Sequence, residues 1–355
     1  MTLQRQMIFW VGALVVFVAA LWLLSNIMLP FVAGMALAYL LDPIARRAER
    51  FGVPRAISAL FIVTMALVAL VAATMVVAPI LGGQFSAFME KLPAYVSRLQ
   101  SLVTDPSRPW LSKVFGEALP DPNASIAGLV SQSSGWITAF LRSLWSGGRA
   151  LFSILSIFVI APVVAIYLLC DWDDLVKTLD SWIPLPHRET VRGLAREMDA
   201  AIAGFVRGQA LVCIVLAAFY AAGLTLSGLN FGLLIGLMTG ILAFVPYVGA
   251  LTGFLVAGIV TVAQFWPDWT SMLMVLGVFV VGQVLEGYVL SPKLVGSKVG
   301  LHPVWLMFAL IAFGYLLGFV GFLIAIPVAA AIGVLARFAI RKYLMSPLFT
   351  GESSH

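Results

Sequence analysis

Cysteine, histidine and charge are all scarce in this chain. Its two cysteines, Cys170 and Cys213, share no spacing motif and sit in or beside apolar segments. That excludes a disulfide framework and leaves them as reduced structural thiols. Of the three histidines, His355 is terminal and His187 lies in a polar helical stretch. There is no His-Glu-x-x-His, no Gly-x-Gly-Asp and no phosphate loop ending in Gly-Lys-Ser/Thr. An intramembrane enzyme and ATP-driven pumping by this chain therefore lack support, and no enzyme activity, cofactor or metal is expected. Charged residues make up only 10% of 355 positions, against 62% apolar, and mean hydropathy is +1.05. This is far from the balance of a soluble domain. The net charge of +5 is carried by loop arginines, with no compact basic cluster interleaved with aromatics, so no nucleic-acid partner is expected.

What the chain does have is long apolar runs. Several exceed the ~20 residues that a helix needs to cross a bilayer, and they are continuous rather than alternating, which excludes a β-barrel. The fold class is all-α: a polytopic membrane protein of about eight membrane segments, including two helical hairpins, with membrane lipids as its solvent. Four regions are expected. Residues 1–81 hold N-terminal membrane helices. Residues 82–149 form an extracytoplasmic amphipathic helical region, residues 150–207 a membrane helix and a cytoplasmic amphipathic helix, and residues 208–345 a C-terminal transport core.

The first helix is expected over residues 7–24, uncleaved, with a turn at Ser25-Asn26 and a second helix over 29–41 ended by Asp42-Pro43. Arg46, Arg47, Arg50 and Arg55 outnumber Asp42 and Glu49 in the next loop, which places it in the cytoplasm. If both preceding helices cross, the N-terminus is cytoplasmic as well. Helix three covers 56–81. Phe85, Phe88, Met89, Leu92, Tyr95, Val96 and Leu99 then follow at helical spacing, and a second amphipathic piece lies near 126–144. Helix four, 150–170, delivers the chain to Asp171-Trp172-Asp173-Asp174. Pro184 and Pro186 mark a turn, and 187–207 reads as an amphipathic helix with Arg188, Arg192 and Arg196 on one face, either a solvated surface or a cytoplasmic gate.

Residues 208–267 and 299–336 carry no charged side chain. Each region contains short helices broken by glycine and proline. The first has Gly232, Gly236 and Gly240 before Pro246-Tyr247-Val248-Gly249. The second has His302-Pro303, then Gly314, Gly318 and Gly321, then Pro327. Repeated small residues predict close helix contact, and broken helices flanking a charged one point to a transporter's binding site. Either hairpin can span or re-enter. Arg337, Arg341 and Lys342 place the C-terminus in the cytoplasm.

Between these regions, residues 270–290 form a full span ended by Ser291-Pro292-Lys293. Glu286 is its only carboxylate. An acid at membrane depth faces protein or water and is functional by default, and taking it out of water disfavours its charged form, which suits proton coupling. The competing role is a structural partner for Lys293, Lys298 or Gln283. Glu286, Gln283, Tyr288 and Lys293 are the candidate coupling residues. Thr239, Pro246, Tyr247, Gly249, Pro292, His302, Pro303, Gly314, Gly318 and Pro327 are the candidate substrate-lining ones. Several have a simpler role open to them: Thr239, Thr252 and Asn230 as helix contacts, His302 as a helix cap, Asp171 and Asp268 as boundary charges.

At these residues the chain resembles the autoinducer-2 exporter (AI-2E) family. The resemblance runs from Pro30-Phe31 and Ala38-Tyr39-Leu40-Leu41-Asp42-Pro43 through Phe244-Val245-Pro246-Tyr247-Val248-Gly249, Glu286 with Ser291-Pro292-Lys293, His302-Pro303 and the glycines up to Pro327. It implies a multi-pass carrier of the bacterial inner membrane, a homo-oligomer. Such a carrier exports a small polar, autoinducer-2-like molecule coupled to an ion gradient, or exchanges sodium for protons. A non-transporting membrane scaffold is the third class.

Overall fold

The computed structural model describes residues 3–103, 148–296, 302–346 and 349, and every regular element among them is helical. The amphipathic piece expected near 126–144 lies outside the described residues. In chain order the helices are α1 (Leu3–Arg50), α2 (Arg55–Val103), α3 (Gly148–Ser181), a short 3-10 turn (Leu185–His187), α4 (Arg188–Leu226), α5 (Gly232–Leu242), α6 (Val248–Phe265), α7 (Trp269–Val284) with a π-helical continuation (Leu285–Gly296), and α8 (Pro303–Leu344). Among the described residues, seven helices are long and apolar enough to cross a membrane, and α5 is a shorter apolar one.

The helices run on where a change in polarity suggested ends. No turn forms at Ser25-Asn26: α1 continues for 48 residues, about 70 Å. The expected pair of crossings before Asp42, on which a cytoplasmic N-terminus rested, therefore lacks its turn. Ser25 stays inside the helix because its hydroxyl donates to the Trp22 carbonyl at 2.8 Å. Pro43 does not end α1 either. Proline has no N–H for the carbonyl four residues earlier, here that of Tyr39, and the Arg207 guanidinium supplies the missing donor, Nε to Tyr39 O at 2.7 Å. Helix α2 passes from its apolar part into the amphipathic stretch without a break, α3 passes through Asp171–Asp174 to Ser181, and α4 joins the expected cytoplasmic helix to the following span.

The chain divides into two compact units. The first comprises Met1–Leu67, Ser156–Gln209 and Ser291–His355. Its core is built from small residues: Ala38 and Ala45 of α1, Ala59 and Val63 of α2, Ala165 and Leu169 of α3. Small side chains let backbones approach, which is how helices associate without a hydrophobic driving force. A β-carbon at Gly34 would fall 2.7 Å from the Ala161 carbonyl oxygen. Helix α8 packs on α1 and is itself bent at Gly318 (φ 60°, ψ −137°), a conformation open essentially to glycine alone. Beyond the bend the chain returns on itself: a β-carbon at Gly321 would meet the Phe313 carbonyl oxygen at 1.8 Å. This is the second expected hairpin.

The second unit comprises Val68–Leu155 and Ala210–Leu290. Tyr220, Leu216 and Leu224 of α4 are fully buried, and the Phe279 ring of α7 meets Tyr220 of α4 at a tilt and Phe254 of α6 edge-on. The first hairpin, α5–α6, lies against α4 through its glycine stripe. β-Carbons at Gly232, Gly236 and Gly240 would collide with Leu224, Ala221 and Ala217 respectively. The two arms touch where Gly253 meets Thr239. Polar side chains satisfy the hairpin's open end. Gln84 of α2 accepts from Leu234 N at 3.0 Å, an otherwise orphan donor of the first turn of α5. Gln264 accepts from Asn230 N and donates to the Gly228 carbonyl, both at 2.8 Å.

Candidate functional site

The π-helical segment after α7 begins at Leu285, and Glu286 is its second residue. A π-helix is wider than an α-helix, is rare, and is often found at functional sites. Pro292, expected to end the span, sits within this segment instead. Glu286 is half-buried, and its Oε2 is buried with no hydrogen-bond partner among the described residues. Leaving a buried acceptor unmatched costs about 1–3 kcal/mol, more when it is charged, so this is a costly place for an acid with a merely structural role.

Two side chains of α4, Cys213 and Tyr220, lie close enough to Glu286 to feel its charge, and Gln283 is the polar neighbour of the Tyr220 hydroxyl. Gly282 makes the arrangement possible, because a β-carbon there would fall 2.4 Å from Tyr220 Oη. The glycine stripe of α5 sets a register along α4, with residues 232, 236 and 240 opposite 224, 221 and 217. Continued by one turn, that register puts the bend at residues 243–247 level with Cys213, the neighbour of Glu286. Tyr247 holds that bend at φ 68°, a value L-residues avoid. The structure thus sets Glu286 and Gln283 against the stretch of α4 from Cys213 to Tyr220, with the residue 243–247 bend level with its Cys213 end.

Other candidates fall elsewhere. Tyr288 is 81% exposed. Thr239 is fully buried and its hydroxyl donates to its own helix, to Ile235 O at 2.6 Å, while Gly249 is packed against the Ala243 amide; both serve helix contact. Asn230 and Thr252 are likewise engaged, Asn230 Nδ2 donating to Tyr95 Oη and Thr252 Oγ1 to Val248 O. In the first unit, Pro292 and Lys293 are exposed, and Lys298 lies outside the described residues. His302 caps α8, its Nδ1 accepting from Val304 N at 3.4 Å, with Pro303 opening the helix. Gly314 abuts Phe322, Gly318 makes the bend, and Pro327 lies inside the returning arm.

One charged site was missed. The first unit encloses a cavity of about 1010 Å³ between the C-terminal end of α1 and α2, α3, α4 and α8. Asp42 accepts from Arg46 at 2.9 Å and from Arg207 at 3.1 Å, and Asp199 accepts from the Tyr39 hydroxyl at 2.9 Å. One signal for it stands in the sequence. Arg207 is the last charge before the first long uncharged run, and Arg337, another lining residue, is the first after the second.

A profile described as AI-2E family transporter matches residues 11–341, nearly the whole chain. The chain belongs to the AI-2E transporter family. Its similarity to several individual members covers most of both chains. YrrI of Bacillus subtilis, named for transport, is 28% identical over 322 residues, which is 88% of this chain and 87% of YrrI. PerM of Escherichia coli, named as a permease, is 27% identical over 334 residues, 91% of each chain. The AI-2 transport protein TqsA of Escherichia coli is 22% identical over 342 residues, 93% of this chain and 91% of TqsA. An AI-2E family chain of this composition is an integral membrane transport protein.

Proposed function

We propose that this AI-2E family chain is a secondary transporter of the bacterial inner membrane. It exports a small polar, autoinducer-2-like molecule and couples that export to an ion gradient at Glu286. The observation that carries this reading is the buried Oε2 of Glu286, without a partner among the described residues, on a π-helical turn in the same unit as the strained bend of the α5–α6 hairpin. The name of TqsA supports the substrate class. A charged carboxylate in that position requires water or a cation, and a protonated one tolerates a dry surround. Closure of the hairpin and binding of a proton by Glu286 therefore favour each other, and that link is the coupling. Gln283 is the neutral partner, and Pro246, Tyr247 and Gly249 form the moving bend. In the other unit, the α8 hairpin moves in the same cycle about Gly318. The loop at residues 51–54, flanked by Arg46, Arg47, Arg50 and Arg55, and the C-terminus face the cytoplasm, and the chain works as a homo-oligomer.

The test is flux in proteoliposomes under imposed proton and sodium gradients, with autoinducer-2 as cargo. Wild-type protein moves the cargo, and Glu286→Gln reduces the flux to background. Sodium–proton exchange without movement of the cargo would assign the same site to antiport. No movement of any of these under any gradient overturns the carrier reading.

A further inference from the structure

We propose that the arginine-lined cavity of the first unit binds the phosphate ester of a small polyol. Six arginines line it: Arg46, Arg47, Arg50, Arg55, Arg207 and Arg337. The lining carboxylates number three, and each is already occupied. Asp42 accepts from Arg46 and Arg207, Glu197 from Arg337, and Asp199 from the Tyr39 hydroxyl. Arg55 is held by the Leu169 carbonyl at 2.6 Å and by Asp173 at 2.5 Å. Arg47 and Arg50 remain, with no hydrogen bond or ion pair among the described residues.

Spaced three apart, these two guanidiniums share one face of α1. They stand in its last turn, where the helix dipole favours cations without neutralising them. Two adjacent forks of this kind match the oxygens of a phosphate, which guanidinium binds in bidentate fashion. The rest of the lining suits hydroxyl groups. The Asp42, Glu197 and Asp199 carboxylates have acceptor capacity beyond the bonds they already take, and Trp172 offers an aromatic wall. A free phosphate ion would leave these acceptors and this wall unused, so the ligand carries a polyol body as well as the anion. Glycerol phosphate is the smallest molecule with both features. It has two sources at a membrane: the soluble ester and the headgroup of phosphatidylglycerol.

The experiment uses the full chain and reads binding, not flux, so its result is independent of the transport reading. In detergent, affinity for glycerol 3-phosphate and for inorganic phosphate is measured by equilibrium dialysis. In nanodiscs, retention of phosphatidylglycerol against phosphatidylcholine is measured by native mass spectrometry. Arg47→Gln/Arg50→Gln replaces two exposed side chains that have no partner to lose, so the fold is retained. The expected result is tighter binding of glycerol 3-phosphate than of inorganic phosphate, or selective retention of phosphatidylglycerol, lost at least about tenfold in the double variant. Binding of the soluble ester alone identifies a soluble ligand, and retention of the lipid alone identifies a headgroup. Asp199→Asn is expected to weaken the polyol ester while leaving inorganic phosphate unchanged. If neither source binds, or if the double variant binds as wild type does, the proposal is overturned.

Discussion

The cavity of the first unit and the Glu286 site of the second treat their carboxylates in opposite ways. In the first, Asp42, Glu197 and Asp199 each accept a hydrogen bond from arginine or tyrosine. In the second, Glu286 Oε2 is buried with no partner among the described residues. A paired carboxylate ties helices together. An unpaired buried one is free to change protonation, and the surrounding structure must change with it. The contrast separates acids that hold the fold from the acid proposed for coupling.

The largest expected effect is a change of sign between the units. Glu286→Gln should remove flux and leave the melting temperature in detergent unchanged or raised, because a neutral amide costs less to bury than a carboxylate. Asp42→Asn should lower stability by about 1 kcal/mol, since Arg46 and Arg207 lose their anion in a partly exposed, solvent-screened setting. Equal melting losses for the two variants would erase the distinction.

The two hairpin bends sharpen it next. Gly318 adopts φ 60° with open space around it, so Gly318→Ala has a backbone cost and no packing cost, about 1–3 kcal/mol. Tyr247 already bears a positive φ, so Tyr247→Gly should raise the melting temperature if its ring contributes little to packing, as its 56% exposure indicates. A stable Gly318→Ala protein would mean that the α8 bend is not fixed as described.

Pro43 supplies a finer test. Arg207→Gln deprives the Tyr39 carbonyl of its donor, and Pro43→Ala returns a backbone N–H at the position where α1 would normally provide one. The loss from Arg207→Gln should therefore be smaller in the Pro43→Ala background, with a coupling of about 1 kcal/mol. Additive melting shifts would show that the arginine is not capping this carbonyl.

These particulars also show what could be read in advance. Both hairpins were legible because glycine leaves a mark: the stripe 232, 236, 240 exists to let α5 touch α4, and Gly318 exists to turn the chain. The acid at Glu286 was legible because nothing charged surrounds it in sequence. Helix ends were misread at Ser25-Asn26, Asp42-Pro43 and Asp171–Asp174, because polarity reports where lipid gives way to water, not where the backbone ladder stops. The arginine cavity was hidden for another reason. Arg207 and Asp42 meet across 165 positions, and each alone is an ordinary boundary charge. The π-helical turn leaves no compositional trace that distinguishes it from an α-helix.

The smallest effect tests a carboxylate of the second unit that, unlike Glu286, is fully engaged. Asp268 caps α7, accepting from Thr270 N at 3.0 Å and from the Ser271 hydroxyl at 2.5 Å. The Ser271 hydroxyl, with help from the backbone N–H groups, holds its carboxyl below the usual range. A group whose folded value is depressed stabilises the fold above its unfolded value, and that contribution disappears as pH falls through the folded one. Asp268→Ala should therefore melt slightly earlier than wild type at neutral pH. The gap should close as the pH drops below the ordinary carboxylate range of about 4. A gap that persists unchanged in acid would mean that the cap works through shape and not charge. Asp268 would then be no counterpart to the paired acids of the first unit, leaving Glu286 without a charged foil in its own.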